Sequence, residues 1–200
     1  MRYTFKTNLL LLVMVFISNH AILAQQYYNP DALNATSDNK FYIGLASGVE
    51  SFTGIIGVSL EAKVAKSIAL YAGAGIGGWG AKISGGAKLY REFPYKWAYC
   101  VSLSNASGLK DYKAKLETQS GTKDVLMDLR PCQTFNLTAQ HHWKMGIKNR
   151  FNIEFGLSFA LTKIAYTIKD GSVLTPASVT IMQVLQPGGL TAGIGFTFGQ

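Results

Sequence analysis

The sequence predicts an all-β fold: an eight-stranded antiparallel transmembrane up-and-down β-barrel. Three observations predict it. The first is Phe151–Thr162, FNIEFGLSFALT, in which Phe151, Ile153, Phe155, Leu157, Phe159 and Leu161 alternate with polar or small residues. Successive strand side chains point to opposite faces, so one face of this segment is wholly apolar. The second is its length of 12 residues. A strand in a water-soluble protein usually has about 5–6 residues, whereas a tilted membrane-spanning strand needs about 9–11. The third is charge placement. Eight segments of this kind follow residue 40, and none carries a charge on its apolar face, ends excepted. Lys or Arg facing lipid near the midplane would cost about 2–4 kcal/mol.

The chain opens with an expected export leader, residues 1–24. Arg2 and Lys6 give the positive start, Leu9–Ile17 (LLLLVMVFI) the apolar core, and Ala21-Ile22-Leu23-Ala24 the small-x-small cleavage site. That core is too short to cross a bilayer as a helix. Residues 25–39 are polar, contain Pro30, and read as a flexible N-terminal arm. Residues 40–200 hold the barrel.

The eight strands are expected at Phe41–Val49, Ile55–Val64, Ile68–Gly77, Ala81–Tyr90, Trp97–Asn105, Cys132–His142, Phe151–Thr162 and Leu190–Phe198. Connections after the second, fourth and sixth are short: Ala65-Lys66-Ser67, Arg91–Lys96 and the basic stretch Trp143–Arg150. Those after the fifth and seventh are long, and short periplasmic turns with longer outer loops are the outer-membrane pattern. Residues 108–124 and 169–177 read as exterior loops. Val179–Leu185 (VTIMQVL) reads as an extension of the last strand, with Pro187-Gly188-Gly189 as a bend. Pro131 cannot donate to a ladder, so regular pairing should stop near it.

Aromatic residues gather where the short turns join the strands: Phe41, Tyr90, Tyr95, Trp97, Trp143, Phe151, Phe196 and Phe198. They are expected to form an interfacial girdle, with Phe52, Trp79, Tyr112 and Tyr166 on the opposite rim. Lys63, Lys66, Arg91, Lys96, Lys144, Lys148 and Arg150 fall at or near the short-turn rim. They suit anionic headgroups, a periplasmic partner, or plain solvation.

A mean hydropathy of +0.14 is high for a soluble chain. The soluble alternative is a lipocalin-like barrel or a sandwich. Against it stands a polar face rich in glycine (Gly44, Gly48, Gly57, Gly73, Gly75, Gly86, Gly156, Gly193, Gly195), which suits the crowded interior of a small barrel.

The leader, the eight alternating strands and the closing GLTAGIGFTFG resemble small outer-membrane β-barrel proteins, the OmpA/OmpX/OmpW-like group. Gln25, which follows the cleavage site, resembles the mature start of exported Bacteroidota proteins. That resemblance implies an outer membrane beta-barrel protein of a Gram-negative cell, with outer-membrane lipid and the barrel assembly machinery as partners. The family usually ends on an aromatic residue, whereas here Gly199-Gln200 follow Phe198.

The inward set is expected to fill the lumen. Tyr42, Tyr71 and Tyr90 give bulk, and Glu61, Lys63, Lys82, Lys88 and Glu154 give charges of both signs. Glu61 and Glu154 are expected to pair with some of the three lysines, because unpaired charges in a confined interior are costly. Cys100 and Cys132 fall on the same face of neighbouring strands, so an oxidising periplasm would permit a disulfide if the register brought them together. Nothing in the pattern calls for a catalytic residue, a cofactor or a metal. His141 and His142 are adjacent, so in a strand they face opposite ways and cannot chelate one metal together. No mature histidine falls near the outer rim, where a general base would have to work. The formal net charge is +8, but an exported barrel does not meet nucleic acid.

The sequence thus points to a non-enzymatic outer-membrane barrel with a structural, adhesive or accessory role, a filled lumen and an unidentified extracellular or periplasmic protein partner. The alternatives are a channel for small solutes, an outer-membrane enzyme, or a soluble binding protein.

Overall fold

The structure, a computed structural model, describes residues 40–93, 95–145, 148–162 and 166–200, without the side chains of Tyr95 and Val184. The expected leader and N-terminal arm lie outside the described residues.

Eight strands close into an antiparallel barrel. They belong to a chain numbered β1 (Phe41–Val49), β2 (Ile56–Lys63), β3 (Ile68–Gly77), β4 (Gly80–Glu92), β5 (Tyr95–Ala106), β6 (Leu109–Thr118), β7 (Gly121–Leu129), β8 (Cys132–Met145), β9 (Asn149–Ala160), β10 (Tyr166–Ile168) and β11 (Gly189–Gly199). Around the wall the order is β1, β2, β3, β4, β5, β8, β9, β11, and β11 pairs back onto β1 through Tyr42–Gly199 to Val49–Ala192. Each barrel strand therefore pairs with the barrel strands before and after it in the chain. Closure leaves the wall no open edge.

Alternation sorts the two faces. In β1 the outward Phe41, Ile43 and Leu45 are exposed, and the inward Tyr42 and Gly44 are buried. Leu45 and Leu103 are each 59 % exposed and Ile76 is 64 %, whereas the inward Glu61, Lys82, Lys88 and Glu154 are each 5 % exposed or less. A water-soluble barrel would show the reverse distribution of polarity.

The long connections are not loops. β6, β7 and β10 form a separate three-stranded sheet in the order β10–β7–β6. The stretch expected as a polar loop, residues 108–124, is mostly the β6–β7 hairpin, turning at Gly121 with φ +108°. Its charges lie on the exposed face and hide a period-two pattern of Tyr112, Ala114, Leu116 and Thr118. The expected extension of the last strand is instead a helix, α1 (Pro176–Leu185). Thr175 caps it, its side chain accepting from the Ser178 N–H, and Pro176 takes the first turn, where its missing N–H costs nothing. Leu116, Val125, Met127 and Leu129 of the sheet meet Met182 of α1 in an apolar core. Trp79, Ala106 and Cys132 from the barrel's end join that core, and the Trp79 indole N–H donates to the Arg130 carbonyl at 3.1 Å. Sheet and helix form a cap at the long-connection end.

Candidate functional site

The lumen holds two packed layers. Nearer the short-turn end, Arg150 of β9 is fully buried. Its guanidinium lies 2.6 Å from a Glu61 carboxylate oxygen and donates to the Tyr90 hydroxyl at 2.9 Å and to Thr197 Oγ1 at 2.8 Å. It also stacks 3.9 Å from the centroid of Tyr42. Lys88 Nζ donates to Glu61 at 2.8 Å, and the Tyr90 hydroxyl donates to the other Glu61 oxygen at 2.6 Å. One carboxylate thus receives two cations and a phenol. Charge-assisted bonds of this length are the strong ones, and the planar arginine fork fixes their geometry.

Nearer the long-connection end, the β1–β2 connection enters the lumen. Ser51, Phe52 and Thr53 are buried, and the Phe52 ring meets Tyr71 edge-on at 5.2 Å. The Ser84 hydroxyl donates to the Phe52 carbonyl, and the Ser51 hydroxyl donates to the Gly54 carbonyl at 2.6 Å. The inward glycines of the walls make the socket. A Cβ on Gly73 would lie 2.7 Å from Phe52 Cδ2, and one on Gly75 would collide with the Thr53 carbonyl. Above this loop, Lys82 meets Glu50 at 3.4 Å. Beside it, Asn136 donates to Ser104 at 2.8 Å and to Ser102 at 3.1 Å, and accepts from Ser158 at 2.7 Å.

Of the expected lumen charges, Glu61, Lys82, Lys88 and Glu154 are inside. Lys63 is half-buried at the short-turn end, its ammonium 4.9 Å from the Phe93 ring centroid. Glu154 makes no ion pair with any of the three lysines, contrary to expectation. The register sets it between Gln140 of β8 and Gly193 of β11, and its Oε1 is buried without a hydrogen-bond partner. Gln140 is fully buried beside it, directly opposite on β8. Lys88 instead serves Glu61, and Lys82 turns to Glu50.

The disulfide is not formed. Cys100 pairs with Thr138, and Cys132 with Ala106, six residue pairs apart on the same ladder. At about 3.3–3.4 Å per residue they stand on the order of 20 Å apart, beyond the reach of about 7 Å that a bridge allows.

The girdle also needs correction. Phe41, Trp97, Trp143, Phe151, Phe196 and Phe198 lie on the outer face near the short turns. His141 joins them, 4.8 Å from Trp97 and 4.2 Å from Trp143 between ring centroids. Tyr90 does not belong, because its alternation turns it into the lumen at 2 % exposure. The side chain of Tyr95 lies outside the described residues. Phe52 is in the lumen, Trp79 is in the cap core, and Tyr112 and Tyr166 belong to the cap sheet. The opposite rim therefore has no matching band from these four. His142 points inward and is buried against Tyr90, so the histidine pair splits across the wall.

Arg150 was expected in a basic turn at the rim. Its true place is legible once the Phe151–Thr162 alternation is carried one residue back: Arg150, Asn152 and Glu154 share the inward face. Among the described residues, no group of three or more His, Cys, Asp or Glu could hold a metal ion.

No protein-family model matches the chain, and no curated protein matches it. Among solved structures, the crystal structure of Acinetobacter baumannii CarO is similar, with 10 % identity, covering 80 % of this chain and 97 % of that one at a TM-score of 0.43.

Proposed function

We propose that this protein is a non-enzymatic barrel of the outer membrane, closed through its middle, that anchors a folded cap on the cell surface. The observation that carries the reading is the inversion of the barrel: aliphatic side chains cover the outside while charges pair within. Lipid is the solvent that makes this inversion stable, since the outer face needs no charge and a closed wall satisfies every ladder group. The leader expected at residues 1–24 supports export, and the aromatic band with its lysines supports placing the short turns in the periplasm.

Two layers support a filled lumen. The Glu61–Arg150 layer and the inserted Ser51–Thr53 loop stand one above the other in a barrel whose interior is only wide enough for side chains. The cap supports a surface role. Recognition residues concentrate on segments held up by a rigid scaffold, and this cap has a core of its own.

Planar-bilayer recording tests the filled lumen. Little steady conductance is expected. Stable ion-selective openings that vanish on substitution of Lys82 or Lys88 would support the channel reading instead. Tags within residues 108–124 or 169–177 should be reachable on intact cells, and protease sites in Arg91–Lys96 should not. The opposite pattern would reverse the orientation.

A further inference from the structure

At the long-connection end, a cleft of about 180 Å³ opens between the end of α1 and the tips of the barrel strands. Its floor holds Trp79, Cys132 and Lys82, all buried, and its mouth is formed by Val49, Ile55 and Leu185, which are 69 %, 55 % and 59 % exposed. Val49 ends the outward row Phe41-Ile43-Leu45-Ser47, and the exposed Ile56 and Ile194 flank Ser47 on the two neighbouring strands. The mouth is therefore continuous with the apolar belt of the barrel.

The ammonium on the floor is poorly satisfied. Lys82 is 5 % exposed, and its hydrogen bonds go to the carboxylate and carbonyl of one residue, Glu50, each at 3.4 Å. Its neighbour Lys88 reaches Glu61 at 2.8 Å. Charge-assisted bonds normally close to about 2.7–2.9 Å. Glu50 is itself held in the left-handed region, with φ +50°, where side chains other than glycine are uncommon. Lys82 thus has donors to spare, and its partner sits in a costly conformation.

We infer that this cleft binds the head of an anionic amphiphile, a long-chain carboxylate, with the carboxylate on Lys82 in place of Glu50 and the tail leaving past Val49, Ile55 and Leu185 into the outer leaflet. The volume is below the about 300–1,000 Å³ of pockets that enclose a drug-sized ligand. It houses a head group and the first few carbons, and the rest of the chain stays in lipid. The charged floor selects the anion, and the apolar mouth selects the tail. This inference rests on the membrane reading above.

Trp79 in the cleft is a built-in reporter. In a Trp97→Phe, Trp143→Phe background reconstituted in phosphatidylcholine vesicles, 6-bromododecanoate, whose bromine sits in the head-proximal half of the chain within reach of Trp79, is added and Trp79 emission followed. Saturable quenching is expected. Lys82→Gln should raise the half-maximal concentration about tenfold or more, the worth of a charged hydrogen bond. Glu50→Gln should lower it several-fold, because the competing carboxylate is gone. A purely structural pair would move both variants the same way. Brominated dodecanol and bromoacetate should not give the saturable response. Quenching by the alcohol equal to that by the carboxylate, or quenching untouched by Lys82→Gln, would overturn the inference. Heat-dependent gel mobility of each variant shows separately that the barrel is folded in lipid, so failure of the ligand and failure of the membrane reading are distinguishable.

Discussion

The Arg150 guanidinium and the Glu61 carboxylate meet at 2.6 Å inside the barrel, with Arg150 fully buried. Their strands, β9 and β2, are not neighbours, so the pair ties opposite walls together. Removing one partner strands the other in a confined space. Arg150→Ala should cost about 3–5 kcal/mol of unfolding free energy, read from urea titrations in lipid vesicles. Arg150→Lys keeps the charge but loses the fork to Tyr90 and Thr197, and should fall between the two. A loss under about 1 kcal/mol, the scale of an exposed pair, would show that the pair is not buried.

The inserted loop depends on Gly73. A Cβ there would sit 2.7 Å from the Phe52 ring, with the Ser84 hydroxyl 3.1 Å away on another side. Gly73→Val should therefore eject Phe52 or strain the wall, at about 1–3 kcal/mol. Chymotrypsin added to intact cells should cut after Phe52 in the variant and spare it in the parent. Equal cutting of both would mean that the loop is not held in the lumen.

The cap carries its own pH dependence. Lys169 Nζ bridges Asp111 at 2.7 Å and Asp128 at 3.0 Å. The Asp111 backbone N–H donates to Asp128, and this bond together with Lys169 holds the Asp128 carboxyl below its usual range. Asp170 is lowered too, by Ser172 and by the Leu126 N–H. The hydrogen bonds that Lys169 donates to the two aspartates raise its own pKa. A lowered carboxyl contributes stability that is present above the unfolded pKa of 3.8 and lost as pH falls through the folded value. A raised lysine contributes stability present below 10.5 and lost as pH climbs through its folded value. Amide protection in β7 and β10, the exchange rate taken relative to the intrinsic rate at the same pH, should therefore be greatest between about pH 4 and 10, and Lys169→Met should lower it there. An unchanged rate in that variant would remove the bridge from the account.

The start of α1 depends on its cap. Thr175→Ala removes the acceptor for the Ser178 N–H, and should cost about 1 kcal/mol and speed amide exchange in the first turn of the helix. Unaltered exchange at Ser178 and Val179 would show that the cap contributes nothing.

The barrel was legible because strict alternation runs the length of its strands, as in β9. The cap was less so. In β6, Lys113, Lys115 and Glu117 mask the two-residue period, and α1 is as apolar as the strand it precedes. Thr175-Pro176 carried the helix signal for α1. The lumen was half legible. Which residues face inward follows from alternation, and Arg150 needed only one further step. Which charges pair depends on register and barrel closure, so Glu61 and Glu154 could each be given an unspecified lysine; Glu61 takes Lys88 and also Arg150, and Glu154 takes none. The entry of the Ser51–Thr53 loop depends on glycines of four strands at once, Gly48, Gly57, Gly73 with Gly75, and Gly193, which no single segment displays.

The central claim is that this chain closes into a barrel within the outer membrane. It is tested most directly by fractionating cells that express it and running the outer-membrane fraction on a gel with and without boiling. The expected result is that the protein stays with the outer membrane and changes mobility on boiling, since the closed wall resists detergent until heated. Recovery in the soluble periplasm, with one mobility under both conditions, would contradict it.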